Sequence, residues 1–140
     1  MNKLFHGLEK QAAIKDRDLS NTVPRQVHIP PEVFDWAVLC QRTFPRGEKP
    51  SKHDIYVWLA EQATSRQDVV IGESDFVFSP VGVQSTVYLP REVHSAACDV
   101  LNKRFQSEAA TPGGMEAVYI AFMRGAVRAI EKELHHSAKA

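Results

Sequence analysis

Two short stretches carry alternating polar side chains that can form hydrogen bonds. They are Gln26 and His28 in the first stretch, and Gln84, Thr86 and Tyr88 in the second. Glutamine can pair bidentately with adenine, threonine can donate, accept or touch a thymine methyl group, and histidine or tyrosine can donate to purine acceptors. These residue types suit the reading of base edges. The same side chains could also form the solvated face of a sheet.

The two stretches belong to an internal repeat. The segment 23–33 (VPRQVHIPPEV) recurs at 83–93 (VQSTVYLPREV) with a constant offset of sixty residues. In each copy an alternating strand runs into a proline, and an amphipathic helix follows. One copy alone has too little apolar surface to offset the entropy lost on folding, so we expect the two copies to complete each other.

The first copy predicts a strand-helix-helix unit, with a strand over 23–29, a helix from Pro31 to Phe44 and a second helix from Ser51. Proline suits the first helical position because its missing N–H would be unsatisfied there, and Glu32 complements the positive end of the helix dipole. Ser51 and Asp54 have nearly the spacing of a capping box, which marks the start of the second helix.

The second copy predicts the same order of elements, with a strand over 83–89, a helix from Pro90 to Phe105, and a last helix that Thr111 caps and that ends at Leu134. The predicted layout is therefore an N-terminal mobile arm (1–20), one domain (21–134) of two units (21–65 and 81–134) with a linker (66–80), and a tail (135–140). The linker contains Val, Ile and Phe residues, so we expect it to pack rather than to flex.

Pairing of the two strands decides the expected fold class. An isolated strand leaves backbone N–H and C=O groups unbonded, so the strands of the two copies should pair with each other. The sequence predicts a mostly α protein with one short two-stranded antiparallel ribbon over four helices.

The segment from Gln84 to Val93 resembles a known DNA-binding family. Its alternating polar residues before Leu89-Pro90-Arg91-Glu92-Val93 are similar to the strand and first helix of the ribbon-helix-helix (MetJ/Arc-type) superfamily, and Ser51 with Asp54-Ile55-Tyr56 resembles that family's second-helix start. The resemblance covers roughly residues 22 to 134. Two units in one chain resemble relaxosome accessory proteins and the T-DNA overdrive-binding virulence C protein.

The resemblance implies a tandem ribbon-helix-helix pseudo-dimer that places its ribbon in the major groove of double-stranded DNA. It implies an accessory factor in conjugative or T-DNA-like DNA transfer, with a relaxase or another DNA-processing protein as partner. A transcriptional repressor of the same fold is the alternative. Pro24 stands where the second copy has Gln84, and Pro31 where it has Arg91, so the two strands differ and suit an asymmetric site.

The N-termini of the second helices are candidate DNA-backbone contacts, because free amides and the positive dipole end attract anions. The candidates are Arg46, Lys49, Ser51, Lys52 and His53 in the first copy and Thr111, Gly113 and Gly114 in the second, together with Arg91. In the first copy Asp54 competes for the same amides. In the second copy we expect no acidic residue in that turn.

The overall charge leaves a second class of function open. Lys plus Arg equals Asp plus Glu at 17 each, so the whole chain neither attracts nor repels nucleic acid, and a protein-interaction module that has lost DNA binding remains the rival interpretation. No apolar run reaches the ~18 residues of a membrane span, and no signal-peptide core is recognisable, so we expect a cytoplasmic protein.

The sequence gives little support to an enzyme, a metal site or a small-molecule substrate, and it implies no cofactor. His94 and Asp99 lie near Cys98 on one predicted helix, where neighbours should not converge as a catalytic triad must. His135 and His136 lack a third metal ligand. Cys40 and Cys98 fit apolar helical patterns better than a disulfide.

Overall fold

The computed structural model describes residues 19–77, 82–107 and 114–139, the last four of these by their backbone alone. The described elements, in chain order, are β1 (Thr22–Ile29), α1 (Pro31–Arg42), α2 (Lys52–Ser65), a 3-10 turn (Glu73–Phe76), β2 (Val83–Pro90), α3 (Arg91–Gln106) and α4 (Gly114–Lys139). The two strands form one antiparallel ribbon. Over these residues the prediction of a mostly α chain with a two-stranded antiparallel ribbon is confirmed. Residues 1–18 of the predicted arm lie outside the described residues.

The register of the ribbon follows the repeat. Gln26 lies opposite Thr86 at the centre, and the ladder runs from Thr22 opposite Pro90 to Ile29 opposite Val83. Gln26 and Thr86 are sixty residues apart, which is the offset of the repeat. All remaining pairs of corresponding positions therefore lie symmetrically on either side of the pair of Gln26 and Thr86.

The inner face of the ribbon forms the top of the hydrophobic core. Val27, Ile29, Val87 and Leu89 are fully buried, and side chains of this size contribute about 1.5–3 kcal/mol each when buried. Helix α2 of the first copy packs against β2, and helix α4 of the second copy packs against β1. Each copy therefore covers the strand of the other copy. The expectation that neither copy folds alone stays a prediction.

Two predicted helix ends are wrong, and both errors have a local cause. Helix α1 ends at Arg42 rather than at Phe44, because the backbone N–H of Thr43 turns back to the carbonyl of Cys40 at 3.0 Å. Phe44 still enters the core after this turn. Helix α4 continues past Leu134 to Lys139, because no glycine or proline interrupts this run of residues with adequate helix propensity.

The connector (residues 66–77), which is the described part of the predicted linker, is held against α4. Phe76 is buried in the core, and the side chain of Asp75 is almost fully buried. Arg128 Nη1 and Nη2 donate to the two carboxylate oxygens of Asp75 at 2.5 and 2.6 Å, and the Gly72 N–H donates to Asp75 Oδ2 at 2.8 Å. Arg124 donates to the backbone carbonyls of Asp75 and Val77. The prediction that the linker packs is confirmed for Ile71 and Phe76, whereas Val70 and Val77 are exposed.

Helix α4 is the longest described helix, at 26 residues. Neither it nor any other helix in the described ranges combines the length and the apolar character that crossing a membrane requires.

Candidate nucleic-acid interface

The ribbon brings all five predicted base-reading residues to one face. This outer face consists of three cross-strand pairs, which are Pro24 opposite Tyr88, Gln26 opposite Thr86 and His28 opposite Gln84. Successive side chains of a strand point to opposite faces, so burial of Val27, Ile29, Val87 and Leu89 sends these six side chains outward. Four of the six residues are exposed, whereas His28 and Tyr88 are half-buried.

The two glutamines of the outer face are linked. Gln84 Nε2 donates to Gln26 Oε1 at 3.0 Å, diagonally across the strands. An amide carries two donor hydrogens and an acceptor oxygen, so Gln26 keeps its NH₂ group and Gln84 its carbonyl oxygen for further hydrogen bonds. The link limits the rotation of both side chains and presents a donor beside an acceptor.

The outer edge of β1 is bonded to the first turn of α4. The carboxylate of Glu116 accepts the backbone N–H of His28 at 2.6 Å and lies 2.9 Å from Nδ1 of the His28 ring. The expectation of no acidic residue in this turn is wrong, because α4 begins at Gly114 and Glu116 falls within its first turn. The acid satisfies an edge N–H that β2 cannot reach.

Proline at position 24 fits the same edge. The N–H of His28 points away from β2. Along a strand, every second backbone nitrogen points to the same edge, so the nitrogen of Pro24 also points to the outer edge of β1. Pro24 therefore removes no hydrogen bond from the ladder.

The outer edge of β2 is bonded to the first turn of α2. The backbone N–H of Tyr88 donates to His53 Nε2 at 3.1 Å, and His53 Nδ1 lies 3.1 Å from Asp54 Oδ1. Nε2 must carry a lone pair to accept this bond, so the ring is neutral and Nδ1–H donates to Asp54. The ring of His53 therefore joins Tyr88 of β2 to Asp54 of α2, and its predicted phosphate contact stays a prediction.

Three basic residues that were predicted as backbone contacts in the first copy lie in and next to the first turn of α2. Arg46 and Lys49 are exposed in the loop before it. Ser51 caps the helix, since its hydroxyl accepts the Asp54 N–H at 3.1 Å. The ammonium of Lys52 lies 5.5 Å from the centre of the Phe34 ring, a cation–π contact that leaves its positive charge in place.

Other predicted backbone contacts are only partly described. Arg91 is exposed at the start of α3, directly after β2. Gly114 is the first residue of α4 and has φ +56°, a conformation that favours glycine. Thr111 and Gly113 lie outside the described residues.

Two residues that the sequence reasoning missed lie near the ribbon. Glu116 could have been found by starting the last helix at Gly114, which places Glu116 in its first turn. Arg25 interrupts the apolar side of β1, and its positive charge offsets part of the rise in the Tyr119 pKa that burial in α4 causes. The pKa of His94 lies below its ordinary value, mainly because burial disfavours the charged ring. The positive charges of Arg25 and Arg91 lower it further.

Cys98 and His94 approach each other, which the sequence reasoning did not expect. They lie one helical turn apart, with Cys98 Sγ 3.7 Å from His94 Nε2, while His94 Nδ1 lies 2.7 Å from the Tyr119 hydroxyl. Asp99 is exposed on another side of the helix.

The two cysteines are expected to differ in reactivity. Burial raises the pKa of the Cys40 thiol to about 12, whereas Cys98 is only half-buried. The thiolate is the reactive form, so a maleimide or aromatic disulfide reagent at pH 8 should modify Cys98 roughly 100-fold faster than Cys40. Mass spectrometry of native protein over time gives both rates. A Cys98→Ser control should stay unmodified until denaturant is added, and equal native rates would contradict the expectation.

Among the described residues, no three side chains of the His, Cys, Asp or Glu type group as metal ligands. Comparison of the chain with family models, with characterised proteins and with solved structures finds no match.

Proposed function

We propose that this protein binds double-stranded DNA sequence-specifically, as a tandem ribbon-helix-helix pseudo-dimer whose ribbon enters the major groove. The observation that carries the proposal is the register of the ribbon, in which Gln26 lies opposite Thr86 and six side chains face outward. A two-stranded ribbon fits the major groove, where each base pair presents a distinct pattern of donors and acceptors.

The register supports a pseudo-twofold relation between the copies. The central cross-strand pair joins corresponding positions of the repeat, and each second helix covers the strand of the other copy. A homodimer of single units would have the same arrangement about its twofold axis. One chain would here supply both halves of the symmetric scaffold.

The two second helices support a backbone contact on each side of the groove. The first turn of α2 is hydrogen-bonded to the outer edge of β2, and that of α4 to the outer edge of β1. Helix N-termini carry unpaired amides and a positive dipole end that attract phosphate. Two such termini on opposite edges of the ribbon would flank the groove that the ribbon occupies.

The biological setting proposed is DNA transfer, with the protein as an accessory factor that marks or bends a site for a relaxase or another DNA-processing protein. Repression of a nearby promoter is the alternative use of the same binding. Two unlike ribbon strands favour the first, because they suit an asymmetric site, and a site bound in one orientation can direct a DNA-processing protein to one side of it. Reconstitution of relaxase nicking on a supercoiled plasmid, with and without this protein, separates the two uses.

A protein-interaction module is the rival function. A net charge of zero and the carboxylate of Glu116 beside the outer face both favour it. DNA binding through phosphates releases counterions, so about four to six phosphate contacts should give a log–log salt slope of roughly −4 to −5. Fluorescence anisotropy with a mixed-sequence duplex pool at rising salt measures this slope. No binding even at low salt would leave the rival as the better account.

The outer-face side chains should determine specificity more than affinity. We expect the double variant Thr86→Ala/Tyr88→Ala to lose roughly 10-fold to 100-fold in affinity for a selected site, and less than about threefold for random duplex, because base contacts differ between sequences and phosphate contacts do not. Competition titrations give both affinities. A Gln67→Ala/Asn102→Ala control changes exposed polar residues away from the ribbon and should alter neither. Equal losses on both duplexes would remove Thr86 and Tyr88 from base reading.

A further inference from the structure

The two ends of the outer face differ in chemistry. The amide end is the pair of His28 and Gln84, and Gln84 is hydrogen-bonded to Gln26 of the central pair. The aromatic end is the pair of Pro24 and Tyr88, which lies beside Thr86 of the central pair. The antiparallel register therefore gathers differences between the copies into two unlike end pairs on either side of the central pair.

The amide end offers hydrogen bonds but an unfavourable charge for DNA phosphate. Gln26 and Gln84 are exposed and linked at 3.0 Å, and together they present a donor beside an acceptor, the pattern that adenine matches. The neighbouring first turn of α4 carries Glu116, whose carboxylate lies 2.9 Å from the His28 ring. A carboxylate at this helix start weakens the attraction of its amides for phosphate, so base contacts should supply more of the binding at this end than at the other end.

The aromatic end offers apolar contact and a favourable charge. Pro24 has no side-chain donor, and Thr86 and Tyr88 can pack against thymine methyl groups. The first turn of α2 at this end carries Lys52, and Lys49 lies just before it. Its one acid, Asp54, is buried and bonded to His53, which reduces its effect on an approaching phosphate.

On the basis of the proposed function, we propose that the target is a non-palindromic duplex bound in one orientation, whose two halves are recognised by different physics. The half under the amide end is read base by base and contains adenine at the glutamine positions. The half under the aromatic end is recognised through thymine methyl groups that contact Thr86 and Tyr88, and it draws more of its affinity from phosphate contacts. Glu116 is the specificity-determining residue that prevents sequence-independent binding at the amide end.

Binding-site selection from a randomised duplex library tests this division with two sets of variants. In the parent protein, the selected site should contain adenine in the half under the amide end and thymine in the half under the aromatic end. Gln26→Ala/Gln84→Ala should flatten the adenine half and leave the salt slope unchanged. Lys49→Ala/Lys52→Ala should leave the selected sequence unchanged, lower affinity roughly 10-fold and reduce the salt slope by about 1 to 2. Lys132→Ala, an exposed lysine on the distal half of α4, is the matched control and should change nothing.

Glu116→Gln tests the role of the acid separately, since glutamine keeps an acceptor for the His28 N–H and removes the charge. We expect affinity for random duplex to rise about fivefold at low salt, as one like charge near phosphate is removed, and the preference for the selected site to fall by a similar factor.

The outcomes separate this inference from the proposed function. A palindromic selected site, or identical effects of the glutamine and lysine variants, would overturn the division while DNA binding itself stands. An unchanged affinity of Glu116→Gln for random duplex would overturn the role of the acid. Absence of DNA binding by the parent protein at low salt would overturn the proposed function and the inference together.

Discussion

Replacing Arg128 with methionine is expected to lower the free energy of unfolding by about 2–3 kcal/mol at neutral pH. The change leaves the buried Asp75 carboxylate with the Gly72 N–H but without its guanidinium partner, and removal of one member of a buried ion pair costs ~3–5 kcal/mol. The expected loss for Arg128→Met lies below the cost of breaking a fully buried pair, because the Arg128 side chain is 54% exposed. Urea denaturation followed by circular dichroism measures the effect.

The pH dependence of the same variant follows from the carboxyl group. Burial favours the protonated form of Asp75, but the hydrogen bonds from Arg128 and Gly72 outweigh it and hold its pKa below the ordinary value. The pair therefore stabilises the fold above the ordinary carboxyl range near pH 4, and this contribution is lost as pH falls through the folded pKa. In Arg128→Met the carboxyl can instead take up a proton, so the stability gap between variant and parent should shrink between about pH 5 and pH 3.

Two controls test whether the loss of stability in Arg128→Met depends on the burial of the Asp75 carboxylate. Asp68→Asn removes an exposed acid that is bonded to Arg66, and such surface pairs contribute about 0–1 kcal/mol. Asp75→Asn combined with Arg128→Met removes the buried charge altogether and should recover part of the lost stability. If Arg128→Met cost no more than Asp68→Asn, the connector would not depend on this pair.

Replacing Gly82 with alanine is expected to cost about 1–3 kcal/mol and to loosen one end of the ribbon. A Cβ atom at this position would lie 2.2 Å from the carbonyl oxygen of Ile29 and 2.8 Å from its carbon. Both are backbone atoms that cannot rotate away, so the strands must separate at the pair of Ile29 and Val83, and overpacking of this kind costs ~1–3 kcal/mol.

Gly72→Ala is the matched control for this change. An added Cβ at Gly72 meets nothing within 4 Å, and its φ of −104° is open to any residue, so the substitution should be neutral or stabilise by up to about 1 kcal/mol. Denaturation midpoints compare the two variants, and amide exchange at Ile29 and Val83, whose N–H groups point to the partner strand, reports the loosening of the ribbon. Equal midpoints for Gly82→Ala and the parent would show that the strands absorb the methyl group without cost.

Local patterns were sufficient to predict much of the fold. The recurrence of 23–33 at 83–93 predicted both strands and the start of each first helix, because alternation and proline placement act within a few residues. Ser51 was correctly placed as a cap for the same reason. The end of α4 was misjudged, since polar composition near the terminus does not by itself stop a helix.

The candidate site was predictable as a list of residues but not as an arrangement. The sequence placed five polar side chains on one face, and the ribbon brings them together. It gave no sign that His53 and Glu116 bond the two strand edges, because those contacts join residues that are 35 and 88 positions apart. The link between Gln26 and Gln84 likewise depends on the register of distant strands.

The sequence by itself determined the repeat, the polar alternation and the buried inner positions, because these depend on side-chain type and spacing along one chain. Only the tertiary structure decided which end of the outer face carries the amides, which helix start places an acid next to that end, and which basic residues remain exposed. Antiparallel pairing reverses one copy against the other, so unlike residues that are far apart in the chain become neighbours in space.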